Sequence, residues 1–254
     1  MEITSHIDAL RRQGELLAAA TGTADPGAAV PTCPDWTVRD LGRHMGGIHR
    51  WATGFVADRR TEPWRVGLDE VVGTWPDDPD LADWLRTGCT VLADALAAAP
   101  DDLECWTFLP APSARAMWAR RQAHETAIHR IDAELAVGAT PAPFGPAFAA
   151  DGVDELLAGF VPRRSKSLRA ERPVSLSVHC TDVRAAWLLA IGPDGVTTAA
   201  ASEPAENAAG ADCSVAGEAA DLYLALWNRA GTEHVAVDGD EAVLNLFFDA
   251  VHVR

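Results

Sequence analysis

Arg121-Gln-Ala-His-Glu125-Thr-Ala-Ile-His129-Arg-Ile-Asp132 is the stretch whose reading decides the fold. As a helix it carries Met117, His124, Ile128, Ile131 and Leu135 on one buried stripe. Glu125, His129 and Asp132 line the adjacent flank, because residues three or four apart share a helix face. A carboxylate and an imidazole one turn apart can grip one divalent cation. The further donor must come from another helix. A cation held between two helices with coordination positions to spare implies chemistry rather than scaffolding. Arg121, one turn before Glu125, is the rival partner for that carboxylate. The helix should run from about Ser113 to Val137 and stop at Gly138, a suitable C′ residue.

The second donor segment is Asp40-Leu-Gly-Arg-His44-Met-Gly-Gly-Ile-His49. Thr37-Val-Arg-Asp40 reads as a capping box with Asp in place of Glu, so a helix should run from about Val38 to Asp58. Its apolar stripe is Leu41, Met45, Ile48, Ala52 and Phe55, with Arg43 and Arg50 pointing away. His44 lies on one flank of the stripe and His49 further round on the other. Five residues turn a helix by about 140°, so the two histidines cannot easily share one ion. His44 is nearer the stripe centre and is the expected inward ligand. His124-Glu125 is not a zinc-protease motif, since His124 and His129 are five apart and the motif needs four.

Two more helices complete a set. One carries Ile3, Ile7, Leu10, Leu16 and Leu17 over residues 3–20, followed by a loop through Thr21–Pro34. The other starts near Asp80, carries Leu81, Trp84, Leu85, Val91, Leu92 and Leu96, and stops before Pro100. A polar connection spans about Arg59–Pro79. Four such helices predict a four-helix bundle, an architecture that builds metal sites from facing helices. Gly138-Ala-Thr-Pro-Ala-Pro-Phe-Gly-Pro146 is a stiff linker. It divides the chain into 1–145 and 146–254. Beyond it a short helix is expected around Val153–Val161. The period then becomes two, with Val174, Leu176, Val178 and Cys180 on one strand face. Ala186–Ile191 and Val196–Ala200 flank the hairpin signal Gly192-Pro-Asp-Gly195. A strand at Cys213 and Val215, a helix over Glu218–Arg229, a strand at Val235–Val237 and a helix over Asp240–Val251 follow. The fold class is α+β, a helical bundle with a smaller C-terminal α/β domain.

The chain has 254 residues, 48% of them hydrophobic, enough for a substantial core. Its net charge of −16 opposes nucleic acid and anionic membrane surfaces as partners. No apolar run approaches the roughly 18 residues of a membrane span. The first residues lack a basic region followed by an apolar stretch, so no secretion signal is expected and the cytoplasm is the default. Five cysteines without a Cys-x-x-Cys pair read as reduced thiols and small core residues. Cys33 is the exception to watch, because it precedes a helix start, where a thiolate is favoured. Lys166 is the only lysine, and an Ala- and Arg-rich chain points to a GC-rich bacterial genome.

Cys33-Pro-Asp-Trp36-Thr-Val-Arg-Asp-Leu-Gly-Arg-His44, followed by His124-Glu125-x-x-x-His129-Arg-x-Asp132, resembles the mycothiol-dependent maleylpyruvate isomerase family of actinobacteria. The likeness extends to Leu224-Ala-Leu-Trp-Asn-Arg229 and covers nearly the whole chain. The resemblance implies a DinB-like metal-binding bundle followed by a sterol-carrier-like domain. It implies that His44, Glu125 and His129 ligate the metal, most often zinc. It also implies that Arg229 serves catalysis and that mycothiol is the cosubstrate. A helix-end arginine favourable to the dipole is the plainer account of Arg229.

The expected function is therefore a metal-dependent enzyme using a low-molecular-weight thiol as nucleophile on a small-molecule substrate. Two outcomes share the same residues: cis–trans isomerisation of an activated alkene acid such as maleylpyruvate, or S-transfer to a small electrophile. The alternatives are a metal- or ligand-binding module without turnover and a hydrolase using metal-bound hydroxide. A monomer or homodimer is expected.

Overall fold

The computed structural model describes residues 1–164, 166–200 and 210–252. It divides into two compact units, 1–142 and 143–254.

In the first unit, α1 (Ile3–Thr23), α2 (Val38–Asp58), α4 (Leu81–Ala98) and α5 (Ala114–Ala136) form the four-helix bundle. Around the bundle, α1 packs on α5 and α4, and α2 packs on α4 and α5. Thus α2 and α5, which carry the candidate ligands, are neighbours. Their ends follow from local chemistry. Thr37 N–H donates to Asp40 Oδ2 at 2.8 Å and Asp40 N–H to Thr37 Oγ1 at 3.3 Å, the reciprocal capping box. At the far end of α5, Gly138 takes φ 69°, which lets the Gly138 and Ala139 N–H groups close back on Leu135 and Glu134 carbonyls. Where α2 crosses α4, Gly46 lies under the Trp84 ring so closely that a Cβ would meet it at 2.0 Å. The Arg50 guanidinium lies 3.7 Å from the centre of that same ring and donates to Gly46 O and Trp84 O. Arg50 therefore faces α4 rather than open solvent.

Two features of this unit depart from the expected pattern. The segment read as a loop contains a short antiparallel ribbon, β1 (Ala29–Val30) and β2 (Cys33–Thr37). Val30 and Cys33 bury themselves against Leu17, Leu41, Met45 and Ala133. A two-residue strand is too short for alternation to register in sequence. The polar connection contains a further short helix, α3 (Leu68–Val72), with Leu68 packed against Gly47.

The second unit opens with α6 (Pro146–Asp154), which continues into a π-helical segment Glu155–Phe160 and a 3₁₀ turn Val161–Arg164. A five-stranded sheet follows: β3 (Val174–Cys180), β4 (Ala186–Gly192), β5 (Gly195–Ala200), β6 (Cys213–Gly217) and β7 (Ala236–Gly239). The strand order is β5-β4-β3-β6-β7, with β3 and β6 parallel and the other pairs antiparallel. The β4–β5 hairpin pairs Gly192 with Gly195, whose φ of 128° is open to glycine and strained for other residues. Leu176, Val178 and Leu189 are fully buried in the sheet. Helices α7 (Ala219–Leu226) and α8 (Glu241–Ala250) complete the unit. The Trp227 indole Nε1–H donates to Gly152 O at 3.0 Å, tying the end of α7 to α6. Among the described residues, no helix is long and apolar enough to cross a membrane.

Candidate metal centre

His44, Glu125 and His129 converge between α2 and α5, with their ligand atoms within 4.8 Å of one another. Glu125 Oε1 lies 3.8 Å from His44 Nε2 and 3.6 Å from His129 Nε2. Those separations are too long for hydrogen bonds. They are only slightly wider than the roughly 3.3 Å between donors sharing one tetrahedral ion at about 2.0–2.1 Å. The other carboxylate oxygen, Oε2, accepts from the buried Arg121 guanidinium. Arg121 is therefore not a substitute for a cation at the histidines. It anchors one oxygen and leaves the other facing both imidazoles.

His129 is oriented from behind. Its Nδ1 lies 2.8 Å from Asp132 Oδ2, which points Nε2 toward Glu125. This is the carboxylate–imidazole arrangement that fixes the tautomer of a metal-ligating histidine. Asp132 is fully buried and also accepts from Thr32 Oγ1 and, at 3.7 Å, from the Cys33 thiol. The β1–β2 ribbon thus supplies the base of the site. It also supplies a wall: Trp36 lies 4.7 Å from the His44 ring and 5.8 Å from the His129 ring, centre to centre. His44 is 26% exposed, Glu125 20% and His129 2%, so the cluster opens to solvent on the His44 side. The donor set fits a divalent cation: two imidazoles, one carboxylate, an oriented rear face and an approachable front.

Electrostatics in the metal-free geometry follow from this arrangement. Burial opposes charge on Glu125, but Arg121 and the two facing histidines outweigh it and hold its pKa well below the ordinary value. Burial likewise opposes charge on His129, and Asp132 and Glu125 outweigh it, so its pKa is raised. A cation would have to displace that proton, which makes metal uptake fall as pH falls.

His49 inverts the expected burial. The helix wheel puts His44 further inward, yet His49 is fully buried and His44 half-exposed. Because α2 is gripped by both α4 and α5, both flanks of its stripe face protein. His49 Nε2 lies 2.9 Å from Thr126 Oγ1, and burial pushes its pKa down to about 3, so it is neutral at physiological pH. It does not join the ligand cluster. Cys33 also departs from its reading: it sits on β2, a full strand before the helix, with its thiol donating to a carboxylate. Arg229 follows α7, is 7% exposed, and donates from Nη1 to Trp227 O at 2.8 Å. Sequence reasoning gave no role to Asp132 or Trp36. The signal for Asp132 was present in the three-residue step from His129, which puts it behind the ring on the same helix face.

Replacing Asp132 with Asn is expected to weaken zinc binding about 10- to 100-fold while the helical circular dichroism is retained. Competition with a chromophoric chelator measures this, and an unchanged affinity would remove Asp132 from the centre.

Residues 7–134 match the mycothiol maleylpyruvate isomerase N-terminal domain. Residues 147–246 match the MDMPI C-terminal domain. The chain belongs to the mycothiol maleylpyruvate isomerase family. The fold of the family is present throughout: the crystal structure of the mycothiol-dependent maleylpyruvate isomerase aligns over 94% of this chain and 93% of its own, with a TM-score of 0.62 and 13% identity. A histidine-to-alanine mutant of that enzyme aligns over the same shares, with a TM-score of 0.61 and 13% identity. No curated protein is similar enough to count as a match.

Proposed function

We propose that this protein is a mycothiol-dependent isomerase that holds a divalent metal, zinc by preference, on His44, Glu125 and His129. The observation that carries the reading is the convergence of those three side chains, with Asp132 orienting His129, in a chain of this family. Two neutral imidazoles and one carboxylate leave a divalent ion at net +1, suited to one anionic sulfur. Bound there, the metal would supply the charge that favours thiolate over thiol, which is otherwise only a few per cent ionised near neutral pH.

The remaining steps belong to the thiol, the substrate and this chain's residues. The thiolate sulfur adds to one carbon of an activated cis alkene, and the conjugated carbonyl takes the electron pair as an enolate. The former double bond rotates, the enolate re-forms the alkene, and the thiolate departs, leaving a trans acid. Arg229 is assigned to the substrate carboxylate or the enolate oxygen, since a planar guanidinium suits a delocalised oxyanion. Trp36 keeps water from one side of the two imidazoles. S-transfer to a small electrophile needs the same residues and differs only in that the sulfur stays attached. Five free cysteines accord with a reducing compartment, the cytoplasm.

Arg229→Ala is expected to lower kcat/KM about 10²- to 10³-fold with metal content unchanged, and Arg229→Lys to recover little of it. Steady-state kinetics beside metal analysis test this, and wild-type rates in both variants would return Arg229 to a structural role. The activity itself is tested on protein purified without chelator or histidine tag, given maleylpyruvate with and without mycothiol. Conversion that needs both the thiol and the metal, with no net thiol consumed, is the expected result. Stoichiometric thiol loss would replace isomerisation with S-transfer. Thiol-independent conversion would replace both with hydrolysis.

A further inference from the structure

Arg121 stands where helix stability alone does not explain it. It lies four residues before Glu125 on α5 and is 3% exposed. In such a pair the favourable order along a helix is acid first and base second, and here the order is reversed. Burying a guanidinium is itself costly. This one also puts a positive charge beside the three side chains that would hold a cation. On charge alone, its removal should favour metal binding.

What Arg121 does is hold one oxygen of Glu125. Oε1 is the oxygen nearest both imidazoles, 3.8 Å from His44 Nε2 and 3.6 Å from His129 Nε2. Oε2 accepts from Arg121 Nη2. A carboxylate can ligate an ion through one oxygen or through both. Three single donors leave a four-coordinate ion one free position, the mark of a catalytic centre. A second oxygen from Glu125 would fill that position.

On the reading of this centre as a thiol-dependent metal site, we propose that Arg121 is a positioning residue. It confines Glu125 to ligation through Oε1 and so keeps one coordination position free for the thiol sulfur. A thiol entering there gives its proton to solvent and a sulfur electron pair to the ion, with no change of oxidation state. Arg121 acts through Glu125, and its charge opposes the metal while its hydrogen bond serves the thiol.

The test is cobalt(II) titration of full-length Arg121→Met beside wild type, followed by addition of 2-mercaptoethanol. Chelator competition reads the metal affinity, and the sulfur-to-cobalt charge-transfer band in the near ultraviolet reads the thiol. Arg121→Met is expected to bind cobalt at least as tightly as wild type and the thiol about tenfold more weakly. Arg121→Lys keeps the charge and an N–H donor and should regain part of the thiol affinity. A residue needed only for structure would lower the cobalt affinity instead, and that result overturns the proposal. Wild-type thiol affinity in Arg121→Met overturns it as well. A crystal structure of the zinc-loaded wild type decides the same point without a substitution: Oε1 alone on the ion supports the proposal, and both oxygens on the ion overturn it. A wild type that binds no cobalt, or binds it without the sulfur band, would remove the thiol-dependent reading itself, and the proposal with it.

Discussion

Alanine in place of Glu125 is expected to leave the protein folded and to reduce its bound divalent metal from about one equivalent to almost none. The carboxylate has two functions that vanish together. Its Oε1 faces both His44 and His129 and would be the anionic donor of the proposed centre. Its Oε2 neutralises Arg121, which is 3% exposed. Two unit charges 4 Å apart at an effective dielectric of about 20 interact by about 4 kcal/mol, and a divalent ion doubles that. Removing the carboxylate therefore costs about a thousandfold or more in metal affinity. The same change takes the Glu125 carboxylate away from the Arg121 guanidinium, so a positive side chain stays beside the vacated position. Glu125→Gln keeps an oxygen in place but not the charge, and should retain only weak binding. Elemental analysis of purified protein and chelator competition measure both. A Glu125→Ala variant that still carried a full equivalent of metal would sink the centre and the enzyme reading with it.

The helices were the most legible part of the chain. The helix read from about Val38 to Asp58 is Val38–Asp58 in the structure, because a capping box marks its start and the apolar stripe carries it through Phe55. The C-terminal sheet was legible from alternation in β3 and from the Gly192-Pro-Asp-Gly195 turn. The parallel pairing of β3 with β6 was not, because it joins distant segments and leaves no local signature. The long uniform helix read over Glu218–Arg229 is shorter in the structure, Ala219–Leu226, since Asn228 adopts a left-handed conformation that ends it.

Of the centre, sequence periodicity could bring Glu125 and His129 onto one flank, but it could not say which face of α2 lay opposite. Choosing His44 over His49 rested on proximity to the stripe centre, and burial alone would have chosen His49. The useful distinction is accessibility. A ligand with exchangeable positions must be reachable, and His44 is the half-exposed histidine. Thr32 was invisible as a site residue, and Cys33 was noticed only as a possible thiolate, because both reach Asp132 on a ribbon about a hundred positions away in the chain. Asp132 was visible by spacing but carried no distinguishing type, since buried carboxylates are assigned by their partners and not by their position.

The strongest stability effect is expected at Arg130, the residue after His129. Its side chain is fully buried. Nε donates to Gln13 Oε1 at 2.9 Å on α1, and Nη1 donates to Glu134 Oε2 at 2.6 Å and to Ala142 O at 2.7 Å. The Ala142 N–H returns a bond to Glu134 Oε2 at 3.1 Å. One guanidinium therefore ties α1 to α5 and fixes the chain where it leaves the bundle. Arg130→Met keeps much of the volume but strands Glu134 without its cation, and breaking a buried pair in this way costs about 3–5 kcal/mol. Guanidinium denaturation followed by tryptophan fluorescence measures the loss, because most of the nine tryptophans lie in the bundle. Arg130→Met/Glu134→Leu should recover a large part of it, since replacing both members of a buried pair with apolar groups is often neutral. If the single variant costs less than about 1 kcal/mol, the network is incidental to stability. If the double variant is as unstable as the single, the loss lies in the Gln13 and Ala142 contacts rather than in the stranded charge, and Arg130 acts as a clamp and not as a counter-ion.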